Sequence, residues 1–345
     1  MSEKKIRCRA PLRLGIAGGG TDLSPFCDLH GGAILNCTID RYAYAFITKR
    51  PDGVLQFVAR DLNCLEQHRT GNILDTSEGL RFHRAVYNYF LTNSVLDPNL
   101  GLTVTTSVDC PPGSGLGSSS ALVVAICEAF RFLCNTPLGL YDLAHLAFEL
   151  ERCQLNLAGG KQDQYSAAFG GVNFIEFLPQ DRVIVNPLRI TPAILNELEA
   201  SLIVCWTGVS RDSEHIINEQ VEQMKSENTA ALDALFALKV SALDMKQALL
   251  SGNLPLVGEI LNRSWQSKKG TAHSVSNALI DRLFDVGLAA GARAGKVSGA
   301  GGGGFMMFLV DPEDRYKVIR ALNEAGGQAN PIHLTARGVE VWQQP

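Results

Sequence analysis

No stretch of this 345-residue chain approaches the run of about eighteen apolar residues that a membrane-crossing helix needs. The basic N-terminal stretch Met1 to Arg9 leads to no apolar core, so no secretory leader is expected. Charge is scarce as well. Charged residues make up 19% of the chain, the net charge is −4, and no basic run is present to attract nucleic acid or a membrane surface. The nine cysteines are scattered, without a Cys-x-x-Cys pair or a histidine cluster, which argues against a zinc site. Their dispersal fits free thiols in a reducing cytoplasm. Internal repeats, low-complexity tracts and flexible linkers are also missing. What remains is 46% hydrophobic, enough for one large or two medium packed domains.

Two standard nucleotide signatures are absent too. A Walker loop needs Gly-Lys followed by Ser or Thr, but Gly160-Lys161 and Gly295-Lys296 are followed by Gln162 and Val297. A dinucleotide fingerprint needs Gly-x-Gly-x-x-Gly, whereas Gly113, Gly115 and Gly117 are spaced by two, which disfavours a nicotinamide oxidoreductase. In their place stands Pro111-Pro-Gly-Ser-Gly-Leu-Gly-Ser-Ser-Ser-Ala121. Before it, 102–108 alternates like a strand; after it, 121–133 is apolar and free of Gly and Pro, as in a buried helix. A strand, a glycine loop and a helix start form an anion site. Glycines let the backbone approach, the first helical N–H groups are unpaired, and the helix dipole favours negative charge. Pro112, Gly113, Ser114, Gly115, Leu116, Gly117, Ser118, Ser119 and Ser120 are therefore the candidates for holding a nucleotide's phosphates. A plain glycine turn is the ordinary alternative.

Along the rest of the chain, 33–39 and 43–48 read as paired strands around Asp40-Arg41, 141–157 as a helix and 172–177 as a strand. From about residue 195 a buried strand, 202–206, precedes helices over 213–226, 229–251 and 254–265. In the middle one Leu232, Leu235, Phe236, Val240 and Leu243 keep helical spacing and are expected to pack in the core. Strands at 294–298 and 305–310 flank a second glycine loop, a helix covers 312–325, and a strand over 338–342 finishes the chain. The expected fold class is α+β, with a soft boundary near 178–200 dividing closely packed domains over 1–190 and 191–345.

Three further segments carry polar groups: Ala10 to Asp22, with Arg13 on a strand before Gly18-Gly19-Gly20-Thr21-Asp22; Gly159-Gly-Lys-Gln-Asp-Gln164; and Lys296-Val-Ser-Gly-Ala-Gly-Gly-Gly-Gly304. Each alone could be a turn with surface charges. Together with 111–121, in this order, they resemble the GHMP kinase superfamily over nearly the whole chain. The resemblance implies an N-terminal domain like domain 2 of ribosomal protein S5, a ferredoxin-like C-terminal domain, and ATP with Mg²⁺ as cofactors. Within the family, the segments around Asp22 and Asp163 most resemble the branch that phosphorylates D-glycero-D-manno-heptose 7-phosphate at its anomeric hydroxyl, toward nucleotide-activated heptose.

Residue by residue, the resemblance implies that Asp163 accepts or polarises the proton of the attacking hydroxyl. Arg13 would stabilise the oxyanion and the transferring phosphoryl group. Glu151, twelve residues before Asp163, and Ser119 stand where the family holds magnesium, and Glu149 is expected to face solvent. Gly19, Gly20, Thr21 and Asp22 form the sugar-recognition turn, over which the loop containing Gly301 would close. Galactokinases carry Glu and His where this chain has Gly19 and Gly20, which removes two polar contacts and leaves room for a longer sugar. A 7-phosphate needs a cation; Lys161 and Arg211 are the candidates, with Arg41 and Arg84 behind them. The implied partners are a small-molecule sugar phosphate and ATP, with no nucleic acid and no membrane; a homo-oligomer is left open. Other sugar kinases of the family, for fucose, galactose or another heptose, and a non-catalytic sugar-phosphate sensor on the same fold are the rival readings.

Overall fold

A computed structural model describes residues 5–210 and 213–344. Strand β1 (Ile6–Ala17) alternates buried and half-buried residues at first and is then buried at every position from Ala10 on. Successive strand residues point to opposite faces. The second half of β1, which holds Arg13, is therefore covered on both sides. The elements that follow are α1 (Phe26–His30), β2 (Gly32–Arg50), β3 (Val54–Ala59), β4 (Cys64–Arg69), α2 (Arg81–Thr92) and β5 (Gly101–Val108). Then come α3 (Ser118–Leu133), α4 (Leu140–Phe148) with a π-helical continuation Glu149–Gln154, α5 (Gln162–Phe169), β6 (Val172–Leu178) and β7 (Arg182–Pro187). The second half holds α6 (Pro192–Ser201), β8 (Leu202–Trp206), α7 (Ser213–Lys225), α8 (Thr229–Leu250), α9 (Leu254–Lys269) and α10 (Ala278–Ala290). It ends with β9 (Ala292–Val297), β10 (Phe305–Val310), α11 (Arg315–Glu324), β11 (Gln328–Pro331) and β12 (Glu340–Gln343).

These elements build an eight-stranded sheet, ordered β12-β1-β2-β5-β3-β4 with β6 and β7 beside β2, and a four-stranded sheet ordered β11-β8-β10-β9. Helices α3, α5 and α8 lie against β1 and β2. Strand β10 joins the two halves. Its Phe305, Met307 and Leu309 pack in the large core, while Met306, Phe308 and Val310 pack in the smaller one under the second sheet. The α+β expectation is met, and most elements fall where periodicity placed them.

Three features differ from expectation. Residues 33–39 and 43–48 are not a hairpin but one 19-residue strand, β2. Its first part pairs with β6 and its second with β5, and β1 runs along both, so Asp40-Arg41 marks a change of partner. On α8, Phe236, Val240 and Leu243 are 41%, 52% and 48% exposed; the buried face is Leu235, Leu238, Ala242, Met245 and Leu249. Of the expected stripe, Leu235 is buried and Leu232 packs beside it, while the remaining buried face runs on through Leu238, Ala242 and Met245. Ala242 faces Gly18. Finally, β12 pairs with Ile6 to Arg9 of β1, so the tail belongs to the first sheet rather than to a domain over 191–345.

On its way back the tail crosses the end of α5. A Cβ on Gly338 would lie 2.1 Å from the Ala168 carbonyl oxygen, and one on Gly170 would lie 2.1 Å from the Gly338 nitrogen. Two backbones touch here without side chains between them. Gly338→Ala is expected to cost about 1–3 kcal/mol through overpacking, read as a lower midpoint in urea denaturation; an unchanged midpoint would show that the tail does not hold α5.

Candidate active site

The site grows from a charged residue on a buried strand. Arg13 is 5% exposed, and its guanidinium finds three partners from three parts of the chain. Nε and Nη2 lie 2.8 and 2.7 Å from Asp163 Oδ1, Nη1 donates to the Gly115 carbonyl at 2.6 Å, and Nη1 is 3.3 Å from Ser298 Oγ. The Arg13 N–H also donates to the Leu116 carbonyl at 2.9 Å. A buried guanidinium satisfied in this way fixes the first glycine loop, the start of α5 and the second glycine loop around one point.

The two loops meet backbone to backbone. Gly115 has φ +75°, and a Cβ there would lie 2.5 Å from the Ser298 carbonyl oxygen; one on Gly299 would lie 2.8 Å from the Gly115 carbonyl oxygen. Phe305 N–H donates to the Ser114 carbonyl at 2.9 Å. Behind this seam Gly117 opens α3 in the left-handed conformation, and no side chain caps the helix. The first-turn N–H groups of α3 are thus left for a ligand, and anions are favoured there.

A cavity of about 480 Å³ opens at this helix start. Asp163, in the first turn of α5, spends Oδ1 on Arg13, and Oδ2 lies 3.3 Å from where a Gly117 Cβ would be. Asp22 is buried across the cavity. Its Oδ2 accepts the Gln162 N–H at 3.1 Å, and a Cβ on Gly160 would overlap it at 2.0 Å. Burial pushes the Asp22 carboxyl up from its ordinary range, against the Gln162 N–H, and nearby Asp163 adds to the rise.

Ser119 stands on the cavity wall and Glu151, fully buried, stands behind it. Ser119 Oγ donates to Glu151 Oε1 at 2.6 Å, and Gln164 Nε2 donates to Oε2 at 2.7 Å. With its proton committed to the carboxylate, the serine turns lone pairs toward the cavity. A hydroxyl oxygen backed by a negative charge is a donor set suited to a hard cation such as Mg²⁺. Glu149, by contrast, is half-buried and does not line the cavity.

Of the residues expected from sequence, Arg13, Gly19, Gly20, Asp22, Pro112, Gly113, Ser114, Gly115, Gly117, Ser118, Ser119, Ser120 and Asp163 line the cavity. Others do not reach it. Leu116 is buried in the core and contributes its carbonyl to Arg13; Thr21 Oγ1 holds the turn by donating to the Gly18 carbonyl and accepting the Ala33 N–H. Gly301 lies against Val275. Lys161 is turned away, paired with Asp181 and lying over the Phe148 ring, so its charge is already matched. Arg84 pairs with Glu66, Arg41 sits over Phe305, and Arg211 lies outside the described residues.

Among the described residues, the cavity's other cations are Arg152, Lys268 and Lys296. Lys296 stands at the head of the second glycine motif, but Lys268-Lys269 looks in sequence like an ordinary basic helix end. Both lysines are 4% exposed, and burial draws their ammonium groups down, to about 8 for Lys268 and about 7 for Lys296.

With this geometry in place, comparison with known proteins assigns the family. The model for the GHMP kinases N terminal domain matches residues 81–171, and that for the GHMP kinases C terminal matches 245–328. The D-glycero-alpha-D-manno-heptose 7-phosphate kinase of Campylobacter jejuni is 41% identical over 340 residues, 99% of each chain. A crystal structure described as a D-glycero-D-manno-heptose 1-phosphate kinase from Bacteroides thetaiotaomicron is 40% identical, with a TM-score of 0.84 over 99% of both chains. The Lactococcus lactis galactokinase complexed with galactose shares the fold at 18% identity, with a TM-score of 0.76 over 97% of this chain and 95% of that one. The chain belongs to the GHMP kinases.

Proposed function

We propose that this chain is an ATP-dependent sugar kinase that phosphorylates D-glycero-D-manno-heptose 7-phosphate at the anomeric hydroxyl, giving the 1,7-bisphosphate. One observation carries the chemistry. Asp163 is tied to Arg13 through one oxygen, and among the described residues its second oxygen, beside the uncapped start of α3, has no hydrogen-bond partner. The choice of substrate rests on the 41% identity over 99% of the chain to the Campylobacter enzyme.

In this reading ATP phosphates lie on 113–120 and the sugar lies between Asp22 and Asp163. The anomeric oxygen attacks the γ-phosphorus, the bond to the β-phosphate oxygen breaks, and ADP leaves. Asp163 Oδ2 takes the hydroxyl proton. An anomeric hydroxyl is more acidic than an ordinary alcohol, so a carboxylate is an adequate base. Arg13, held in place by Gly115 and Ser298, presents its charge to the oxyanion and the phosphoryl group without reorganising. Asp22 accepts hydrogen bonds from sugar hydroxyls, and Gly160 lets it come close. Ser119 is the direct ligand for Mg²⁺, and Glu151 positions it. The ion's part, when bound, is to neutralise charge on the β- and γ-phosphates.

Asp163→Asn keeps the shape and the contact to Arg13 but removes the base. It is expected to lower kcat about 10²–10⁴-fold while the KM for ATP stays within about threefold; near-normal turnover would remove Asp163 from the mechanism. Glu151→Gln is expected to raise the Mg²⁺ concentration for half-maximal rate about 10–100-fold, measured by titrating Mg²⁺ at saturating ATP. No change there would mean that Ser119 is not oriented through Glu151. The substrate is tested by ADP release across heptose 7-phosphate, heptose 1-phosphate, free heptose, mannose, galactose and fucose. Heptose 7-phosphate is expected to dominate and to give a product with an anomeric phosphate by phosphorus NMR. Heptose 1-phosphate has no free anomeric hydroxyl, so turnover of that compound would move the transfer to another carbon. Preference for a free sugar would overturn the substrate while leaving the kinase chemistry.

A further inference from the structure

The two buried lysines are unused by the chemistry just described, and among the described residues neither forms an ion pair, although the Asp22 carboxylate acts on Lys268 through space. Among the described residues neither has a carboxylate within 4.0 Å, although far more exposed arginines elsewhere in the chain are paired with carboxylates at 2.9 Å or less. Lys268 Nζ donates to the Gly19 carbonyl at 3.1 Å and stands 3.5 Å from Gln220 Oε1; Lys296 Nζ donates to the Ile16 carbonyl at 3.3 Å. Each ammonium has three donors, so about half of the six are left over. Both side chains line the cavity. Two buried ammonium groups outside any ion pair are costly, and an anion between them relieves that cost.

Their place in the cavity separates them from the nucleotide end. Lys296 bonds to Ile16, three residues beyond Arg13 on β1, which is about 10 Å along an extended strand. Lys268 bonds to Gly19, in the turn that leads to Asp22, and not to the loop over 113–120. Gly20 makes this possible. It has φ +103°, and a Cβ there would lie 2.9 Å from Lys268 Nζ. The sugar-recognition turn is therefore bare of side chains where the ammonium comes in.

We infer that Lys268 and Lys296 form the subsite for the phosphate that the sugar substrate already carries, with Gly20 keeping the space open and Gln220 steadying Lys268. The inference rests on the sugar-phosphate reading proposed above and supplies the cation that Lys161 does not. A dianionic phosphate between two ammonium groups is matched in charge, and lysine binds phosphate as a point charge without demanding a fixed fork. Burial lowers the affinity of both groups for protons; Lys268 and Arg13 add to this at Lys296, and at Lys268 the Asp22 carboxylate opposes it while Arg13 adds to it.

The test replaces each lysine by methionine, which keeps length and bulk and removes the charge. Removing a buried charge that forms no ion pair is expected to hold or raise the thermal midpoint, so folding is not the obstacle. The kcat/KM for heptose 7-phosphate is expected to fall about 10²–10³-fold, mainly through KM. The fall for unphosphorylated heptose is expected to be at least about thirty times smaller. Independently of turnover, inorganic phosphate is expected to raise the thermal midpoint of the parent chain and to do so less in Lys268→Met. An equal loss on both sugars would place the lysines in the reaction centre or the scaffold and overturn the subsite. If the parent chain prefers the phosphorylated sugar and both methionine variants keep that preference, the subsite falls while the substrate reading stands. If the parent chain shows no such preference, the substrate reading itself falls and takes the subsite with it.

Discussion

The hydrogen bonds of one buried guanidinium hold this site together. Arg13 sits in the middle of a strand covered on both faces, where a charge persists only if its donors are met. They are met by a carbonyl of the first glycine loop, the carboxylate of Asp163 at the start of α5, and the hydroxyl of Ser298 before the second glycine loop. Three segments far apart in sequence are thereby brought within one side chain's reach. The glycines at 115 and 299 belong to the same solution, since a Cβ at either would push the loops apart and draw Ser298 out of range.

Around that point the cavity is organised by charge. Carboxylates at 22 and 163, the uncapped helix start with Ser119, and the lysines at 268 and 296 all line it. The glycine-rich turn over 18–22 serves two ends at once. It allows α8 to approach through Ala242, and it leaves Lys268 a path to the cavity. A turn with larger side chains would conflict with both.

Much of the fold was legible in the sequence because the element boundaries coincide with glycine and proline runs. The failures have physical reasons. Strand β2 looked like two because its polar break at Asp40-Arg41 resembles a turn, when it marks an exchange of neighbours. The α8 stripe had the right period, but only Leu232 and Leu235 fall on the packed side, since period is local while phase depends on which face meets the rest of the molecule. At the site, Arg13, Asp22, Ser119, Glu151 and Asp163 were readable from ordered motifs. Lys161 was misleading because nearness in sequence to Asp163 says nothing of where a long side chain ends; it ends at Asp181. Lys268 was missed because only the folded chain shows that the last turn of α9 is buried against Gly19 and Gln220.

Strand β10 has a mechanical consequence. Alternate side chains of this one strand are rooted in two different cores, so the halves of the molecule cannot turn about it without pulling apart one packing or the other. The molecule is thus stiff along the line where a two-domain enzyme usually bends.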